Sequence, residues 1–593
     1  MLDIKIFVAH TQENSITVEN PLYQNIITQS TGETKFIRDS EGNNISNKYD
    51  KYQYLTVQYW AWKNAEADYY GLGMENKYLS FSKSNIRNNA KTDFVYPALY
   101  FDEHPTIDPP IKFEYLNKQV IEKLNLFEQP MRELIEQHDM IITSPVEWDI
   151  AVMDQFEIPS IFDNKLEAVL NIIKVTSPEM ALIAEEYLKG RIYYPGSLYI
   201  MKKELFHEYC NWSFKILEEL ENQTDFSNYS VEGLKMLYYV SERLLGIYYS
   251  YIKQQGKYRL AELDWCEVEH VAVEAEVMPA FADTSDCIVL TTDDRFIIGA
   301  AATLISLVKT SNVNNNYDII IFHKDLSEKS KTLLRNVVVQ RINFSLRFYD
   351  VGYEMSTYNV YKPGNNWQPC VYFKLLIPSI MHNYKKSLHL DCDLIILEDI
   401  ANLLSIDLKG NAVAGCAEMG CITTSIRRTW ANKYYHEKLR ITNMVEYFNG
   451  GVIVFNINEF HKITSLAQLL HEAEKKHLNL EQDILSKSFV NHIYLLPQSW
   501  NLTRDFLGTV MNLYKQYLPS NIYQKYLDAR QKPKIIHYIG PLKPWDNPNL
   551  EYASYWWDTI RGTEIYEMAI NSQIQKNFSE NIKKTTKKFM DTL

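Results

Sequence analysis

His389-Leu390-Asp391-Cys392-Asp393-Leu394-Ile395-Ile396-Leu397 is the stretch whose reading decides the fold. It is an apolar strand that ends in two carboxylates one residue apart. On an extended strand such residues share a face, and a turn at the strand end lets both sets of oxygens converge. Converging carboxylates can hold one hard divalent cation, which in turn can hold a diphosphate. Asp-x-Asp alone is common in solvated loops, so its weight comes from the motifs downstream of it. Phe448-Asn449-Gly450-Gly451, read as a turn, leads into the apolar Val452-Ile453-Val454-Phe455. Glu481-Gln482-Asp483 comes next, then His537-Tyr538-Ile539-Gly540-Pro541-Leu542-Lys543-Pro544-Trp545.

Upstream, Cys287-Ile288-Val289-Leu290-Thr291-Thr292-Asp293-Asp294 reads as a strand with a polar end. A helical pattern over 296–308, a strand over 318–322, a helix over 326–340 and a strand over 343–349 follow. A first strand-led pattern opens at 4–8, and 166–254 is helix-rich. Alternation of this kind predicts α/β domains with mostly parallel sheets covered by helices. The predicted organisation is a domain over 1–260, an acidic linker over 261–283, a domain over 284–560 and a helical basic tail over 561–593.

With 593 residues the chain has room for two separately cored domains. A net charge of −13 argues against a nucleic-acid partner, which needs clustered Lys and Arg. The 42 tyrosines suit a carbohydrate surface, and an AT-rich coding sequence explains them equally well. Seven scattered cysteines without a Cys-x-x-Cys pair predict reduced thiols in a cytoplasmic protein. No signal peptide or run of about 18 apolar residues is present. The Lys-rich segment 581–590 reads either as a peripheral contact with an anionic membrane or as a solvated terminal helix.

On these motifs, residues from about 286 to 560 resemble the retaining glycosyltransferases of family 8. The resemblance implies a GT-A-like, Rossmann-like domain. It implies that Thr291 and Asp293 contact the nucleoside, and that Asp391, Asp393 and His537 hold Mn²⁺ or Mg²⁺ against the diphosphate. A nitrogen ligand favours Mn²⁺, because Mg²⁺ prefers all-oxygen shells. Asn449 and Gly450 would meet the donor sugar, Gly540 would allow close backbone approach, and Lys543 would neutralise the leaving diphosphate. Gln482 would lie beneath the anomeric carbon with Asp483 beside it. An amide is a poor nucleophile, so front-face attack is expected, with the acceptor hydroxyl entering on the side from which UDP leaves. The chain departs from the family twice: Glu481 stands where the family has Asp, and Lys374 in Tyr372-Phe373-Lys374-Leu375-Leu376 stands where it has Arg. Lys keeps the charge but loses the bidentate fork. A helix-capping role is assigned to Asp294 more than to Asp293.

Residues 4 to about 255 resemble the DUF4422 family of glycosyltransferases. Gly42-Asn43-Asn44-Ile45-Ser46, Tyr59-Trp60-Ala61-Trp62-Lys63-Asn64, Tyr199-Ile200-Met201-Lys202-Lys203 and Ser241-Glu242-Arg243 carry that likeness. After Gly71-Leu72 the family reads x-His-Tyr-Arg-Arg-Tyr, whereas this chain reads Gly73-Met74-Glu75-Asn76-Lys77-Tyr78. The His and both Arg suited to grip a diphosphate are absent. Either His10, Lys63 and Lys77 serve the phosphates instead, or the domain is silent and binds glycan. Trp60 and Trp62 read as helix-packing aromatics.

The whole chain resembles bifunctional O-antigen galactosyltransferases. That implies transfer of galactose or glucose from a UDP-sugar to a lipid-linked or protein-linked surface glycan at the inner face of the cell membrane. The rival readings are a glycan-binding scaffold and a nucleotide-sugar hydrolase.

Overall fold

The computed structural model describes residues 1–82, 111–147, 150–154, 165–195, 197–282, 285–364, 369–505 and 510–575. The chain divides into two compact units, Met1–Val273 and Glu274–Leu593.

In the N-terminal unit the central sheet runs in the order Leu260–Leu263, Met140–Thr143, Tyr199–Lys202, Tyr69–Met74, Ile4–His10, Tyr23–Ile27, Ile37–Arg38. The last four strands are mutually parallel, and Tyr199–Lys202 is antiparallel to both its neighbours. After Ile4–His10 the chain builds outward on one side, then returns to place Tyr69–Met74 on the other. The strand order therefore reverses between Ile4–His10 and Tyr69–Met74, where open α/β sheets leave a crevice beyond the strand ends. Lys203–Asn222 buries Leu205, Phe206, Tyr209, Cys210, Ser213, Phe214, Ile216, Leu217 and Leu220, the three-and-four spacing of one helix face. That face packs into a core shared with Lys165–Thr176, Ala181–Lys189 and Met236–Gln255. Trp62 stacks on Phe214 with centroids 5.8 Å apart, and Trp60 is edge-on to Phe7, so both tryptophans pack the helix.

The expected linker over 261–283 is structured in its first part. Leu260–Leu263 pairs with Met140–Thr143, and Trp265–His270 pairs with two short strands of the same unit. Acidic composition is misleading here, because Glu267 and Glu269 are the outward residues of Trp265–His270, and Glu262 accepts from Tyr249 OH and Lys253 Nζ.

The C-terminal unit has a seven-stranded sheet in the order Phe344–Asp350, Tyr317–His323, Asp286–Thr291, Lys386–Leu390, Phe448–Asn456, Val413–Ala417, Ile493–Leu495. The first four are parallel and Phe448–Asn456 is antiparallel to its neighbours. Every residue of Tyr317–His323 is buried, as expected for a strand covered on both faces. The order reverses between Asp286–Thr291 and Lys386–Leu390, which sets Thr291 and Asp391 at one crevice.

Two local expectations change. The decisive stretch is two strands, not one: Lys386–Leu390 lies in the main sheet, whereas Leu394–Ile396 pairs with Ile535–His537 in a separate three-stranded sheet. The chain switches sheets at Asp391-Cys392-Asp393. Phe448-Asn449-Gly450-Gly451 is strand rather than turn, within Phe448–Asn456. Gly451 provides clearance instead of a bend. A helix covers residues 564–575, and the remainder of the expected tail, 576–593, lies outside the described residues. Among the described residues no helix is long and apolar enough to cross a membrane.

Candidate active site

The sheet switch brings three ligand types together. Asp391 hangs from the end of Lys386–Leu390, its N–H donating to the Gly451 carbonyl at 2.9 Å. Asp393 precedes the second strand, where Leu394 is in register with His537. Oxygens of Asp391 and Asp393 and a nitrogen of His537 all lie within 4.8 Å of one another. Among the described residues this is the one His/Cys/Asp/Glu group so arranged.

Each ligand is fixed from behind. Asp391 Oδ1 accepts from Lys374 Nζ at 3.0 Å and His389 Nε2 at 3.0 Å, which leaves Oδ2 facing His537 Nε2 at 3.8 Å. Asp393 Oδ2 accepts from Lys543 Nζ at 2.5 Å, and Oδ1 lies 3.2 Å from His537 Nε2. His537 Nδ1 donates to Asn501 Oδ1 at 2.9 Å, so the Nε2 lone pair points at the carboxylates. A second hydrogen-bonded group that sets the tautomer is the usual support of a metal-ligating imidazole. Burial pushes the Asp391 and Asp393 carboxyls up, but Lys374 and His389 at the first and Lys543 at the second overcome it and hold both low. His389 is fully buried, and burial with Lys374 pulls its pKa down to about 4. It is neutral at pH 7, with its one proton on Nε2 facing Asp391. Two carboxylate oxygens and one imidazole nitrogen fit a divalent cation with open positions for phosphate oxygens.

The amide of Gln482 is locked at both ends: Oε1 accepts from Gly450 N at 2.9 Å and Nε2 donates to Tyr447 OH at 3.1 Å. Gln482 sits on the helix Leu480–Ser488, whose packing against the sheet aims this first turn at Gly450. Asn449 donates to Glu418 Oε2 at 2.5 Å and accepts from Gly451 N at 2.9 Å and Asn501 Nδ2 at 2.8 Å, which fixes the amide and leaves one N–H for a ligand. Gly540 has φ of +89°, which a side chain would resist. Thr291 is buried at its strand end, where its carbonyl meets the Cys392 thiol at 3.2 Å.

Three expected residues take different positions. Asp483 is fully buried, and its carboxylate accepts from Tyr434 OH and Tyr447 OH at 2.6 Å each and from Asn479 N at 3.0 Å. It supports Gln482 through Tyr447 instead of facing the crevice. Lys374 is 2% exposed and donates to Asp391 Oδ1, Gly450 O and Glu481 Oε1. An ammonium has three donors, so none remains for a substrate. Lys374 therefore holds Asp391 in place. Asp293, not Asp294, is the helix cap: its Oδ1 accepts from Arg295 N at 3.0 Å and its Oδ2 pairs with the Arg295 side chain.

Sequence pattern alone assigned no role to His389, Glu418, Asn501 or Gly299, and read Gly451 only as part of a turn. A Cβ on Gly451 would lie 2.3 Å from His537 Cε1, and one on Gly299 would lie 2.4 Å from the Cys392 carbonyl and 2.7 Å from Trp545. A glycine within the otherwise bulky run Phe296-Ile297-Ile298 to Ala300 was the available signal for Gly299. Asn501 has no local signal at all.

In the N-terminal unit, His10, Lys63 and Lys77 each have their own partner. His10 is buried against Phe36 and bonded to Asn25 Oδ1 at 2.9 Å, Lys63 lies over the Trp62 ring and Lys77 over Trp265. Met74 is 1% exposed, in the last position of its strand.

Comparison with known proteins accords with this geometry. Residues 5–255 match the family described as domain of unknown function DUF4422, and residues 287–548 match glycosyl transferase family 8. General stress protein A of Bacillus subtilis (strain 168) is 22% identical over 299 residues, covering 47% of this chain and 96% of its own length. Lipopolysaccharide 1,2-glucosyltransferase of Escherichia coli is 23% identical over 272 residues, covering 44% of this chain and 74% of its own. The apo structure of the WbbM bifunctional glycosyltransferase aligns over 96% of this chain and 100% of that one, at 25% identity and a TM-score of 0.54. In order along the chain, then, the first unit is similar to the DUF4422 family and the second to glycosyl transferase family 8.

Proposed function

We propose that the C-terminal unit transfers a hexose, galactose or glucose, from a UDP-sugar to a lipid-linked or protein-linked surface or cell-wall glycan, with retention of configuration. The observation that carries this reading is the convergence of Asp391 Oδ2, Asp393 Oδ1 and His537 Nε2 beside Lys543. A divalent cation held there, Mn²⁺ by the nitrogen ligand, would offset charge on the departing diphosphate. Lys543 adds a second positive charge on the same side. Thr291 and Asp293 are assigned to the nucleoside, and Asn449 and Gly450 to the donor sugar. Gln482, held by Gly450 and Tyr447, presents an oriented amide to the anomeric centre and stabilises developing positive charge. The acceptor hydroxyl attacks on the face that UDP leaves, a phosphate oxygen takes its proton, and configuration is retained. The enzyme is assigned to the cytoplasm, with the Lys-rich segment 581–590 of the basic tail as a peripheral contact with the membrane.

The likeness to WbbM, bifunctional by name, extends over both units, so the N-terminal unit is read as a second transferase of altered activity. Glycan binding without catalysis is the second reading. It is favoured by the burial of Met74 where the family's His would stand. Asp391→Ala and Asp393→Ala should abolish divalent-metal-dependent UDP release, with the product's anomeric configuration read by NMR in the unmutated enzyme. Unchanged turnover in either variant, or an inverted product, would overturn the assignment.

A further inference from the structure

Where the strand order of the N-terminal sheet reverses, the parallel strands end in a row of buried polar groups. His10 ends the first strand, Thr28 and Asp39 follow the next two, and Glu75 follows Tyr69–Met74. None of the four is more than 5% exposed. Among the described residues, the Thr11 and Ser15 donors at this crevice are occupied from within. Glu75 accepts from Thr11 N at 3.1 Å, Thr11 Oγ1 at 2.5 Å and Ser15 Oγ at 2.8 Å, and lies 3.5 Å from His10 Nδ1. A backbone N–H and hydroxyls just past a strand at the reversal point are what a phosphate group takes. Here a carboxylate of the chain already has them.

Asp39 is the opposite case. It is 1% exposed, yet neither carboxylate oxygen has a hydrogen-bond partner. Burial pushes its carboxyl up, and the neighbouring Thr56 hydroxyl offsets only part of that. Beside it, Tyr49, Tyr54 and Tyr238 form an edge-to-face series with centroids 6.5 Å and 6.3 Å apart, and the Tyr238 hydroxyl reaches Met74. Burial pushes the Tyr49 hydroxyl up, the Thr28 hydroxyl offsets part of that, and the charges of Glu75 and Asp39 both add to it. An unmatched carboxylate takes hydroxyl donors, and tyrosine faces take the apolar face of a sugar ring.

We propose that this crevice binds a neutral glycan sugar, with Glu75 filling the anion position that a nucleoside diphosphate would need and Asp39 accepting from sugar hydroxyls. This rests on the second reading of the N-terminal unit, glycan binding without catalysis, and makes that unit a glycan subsite independent of the chemistry at Asp391 and Asp393.

The test uses the full chain carrying Asp391→Ala, Asp393→Ala and Lys543→Ala without added divalent ion, which removes the groups assigned to the diphosphate at the C-terminal site, with ligand-observed saturation-transfer NMR on methyl galactoside, methyl glucoside and UDP. A hexoside signal should appear and fall at least threefold in Asp39→Ala, while the midpoint of thermal unfolding stays level or rises because an unpaired buried carboxylate is gone. UDP should give no signal until Glu75→Ala frees Thr11 and Ser15. UDP saturation with Glu75 intact overturns the proposal, as does a hexoside signal indifferent to Asp39. A folded Glu75→Ala that still ignores UDP overturns the anion position. If a variant fails to fold, hydrogen exchange on the unsubstituted crevice decides: the hexoside must slow exchange in residues 10–15 and 39–44, and no slowing refutes it. These outcomes are independent of whether the C-terminal unit transfers sugar.

Discussion

Gly451→Ala isolates what holds the imidazole ligand in place. The added Cβ would sit 2.3 Å from His537 Cε1, 2.7 Å from Nδ1 and 3.1 Å from Asn449 Oδ1. Ordinary contact begins near 3.4 Å, so the ring must retreat by about 1.1 Å. It cannot do so freely, because Nδ1 is bonded to Asn501 and the backbone is in register with Leu394. Overpacking of this kind costs about 1–3 kcal/mol of stability. A catalytic group misplaced by about 1 Å costs on the order of 100-fold in rate. The expected result is a folded protein with divalent-ion affinity down by about 10- to 100-fold and UDP release from a UDP-sugar slowed to a similar degree, measured by calorimetric ion titration and a coupled UDP assay. Gly450→Ala is the control for the fold: its Cβ meets Glu481, Lys374 and Gln482 at 3.4 Å or more, so the unfolding midpoint should barely move. If Gly451→Ala kept ion affinity and turnover within twofold of the parent, the steric account of His537 would be refuted.

Lys374→Met removes a buried ammonium and strands Asp391 and Glu481, an expected loss of about 3–5 kcal/mol by denaturant titration; a loss under about 1 kcal/mol would contradict its role as an internal tie. Asp483→Asn removes the charge from two 2.6 Å tyrosine bonds, so stability should fall by about 2–3 kcal/mol while turnover of the folded fraction drops less than tenfold; a loss of thousands at unchanged stability would return Asp483 to the reacting centre. In the N-terminal unit, burial pushes the Asp139 carboxyl up, but Arg259 and Lys202 overcome that and hold it well below its ordinary 3.8. A depressed carboxyl contributes stability above its unfolded pKa and loses it as pH falls below about 4. Asp139→Asn should flatten the acid limb of an unfolding-midpoint profile between pH 4 and about pH 2, and an unchanged limb would exclude this carboxylate as its source.

Much of the fold was legible because apolar runs with polar ends report strands covered on both faces. The strand at 4–8, the series from 287 to 349 and the helices within 166–254 needed only local pattern and length. The same rule failed at 261–270, where short edge strands carry outward glutamates and composition resembles a linker. It failed again at Phe448-Asn449-Gly450-Gly451, because paired glycines signal a turn locally while here Gly451 clears space for His537. The site was legible as a set of residue types: Asp391, Asp393, His537, Gln482 and Lys543 stand in order of motif along the chain. Their division of labour was not.

By itself, the sequence determined two α/β domains, the carboxylate pair with its distant histidine, and the loss of basic residues after Gly71-Leu72. These rest on side-chain chemistry and hydrophobic period, which are properties of nearby residues. Only the tertiary structure decided that the stretch from His389 to Leu397 divides between two sheets, and that this division brings His537 beside both aspartates. It also decided that Lys374 and Asp483 spend all their hydrogen bonds inside the protein, that Glu75 fills the N-terminal anion position, and that Asp39 is left without a partner. The physical reason is common to all of them. Whether a polar group is free to act depends on which partners reach it, and those partners come from strands and helices tens to hundreds of residues away.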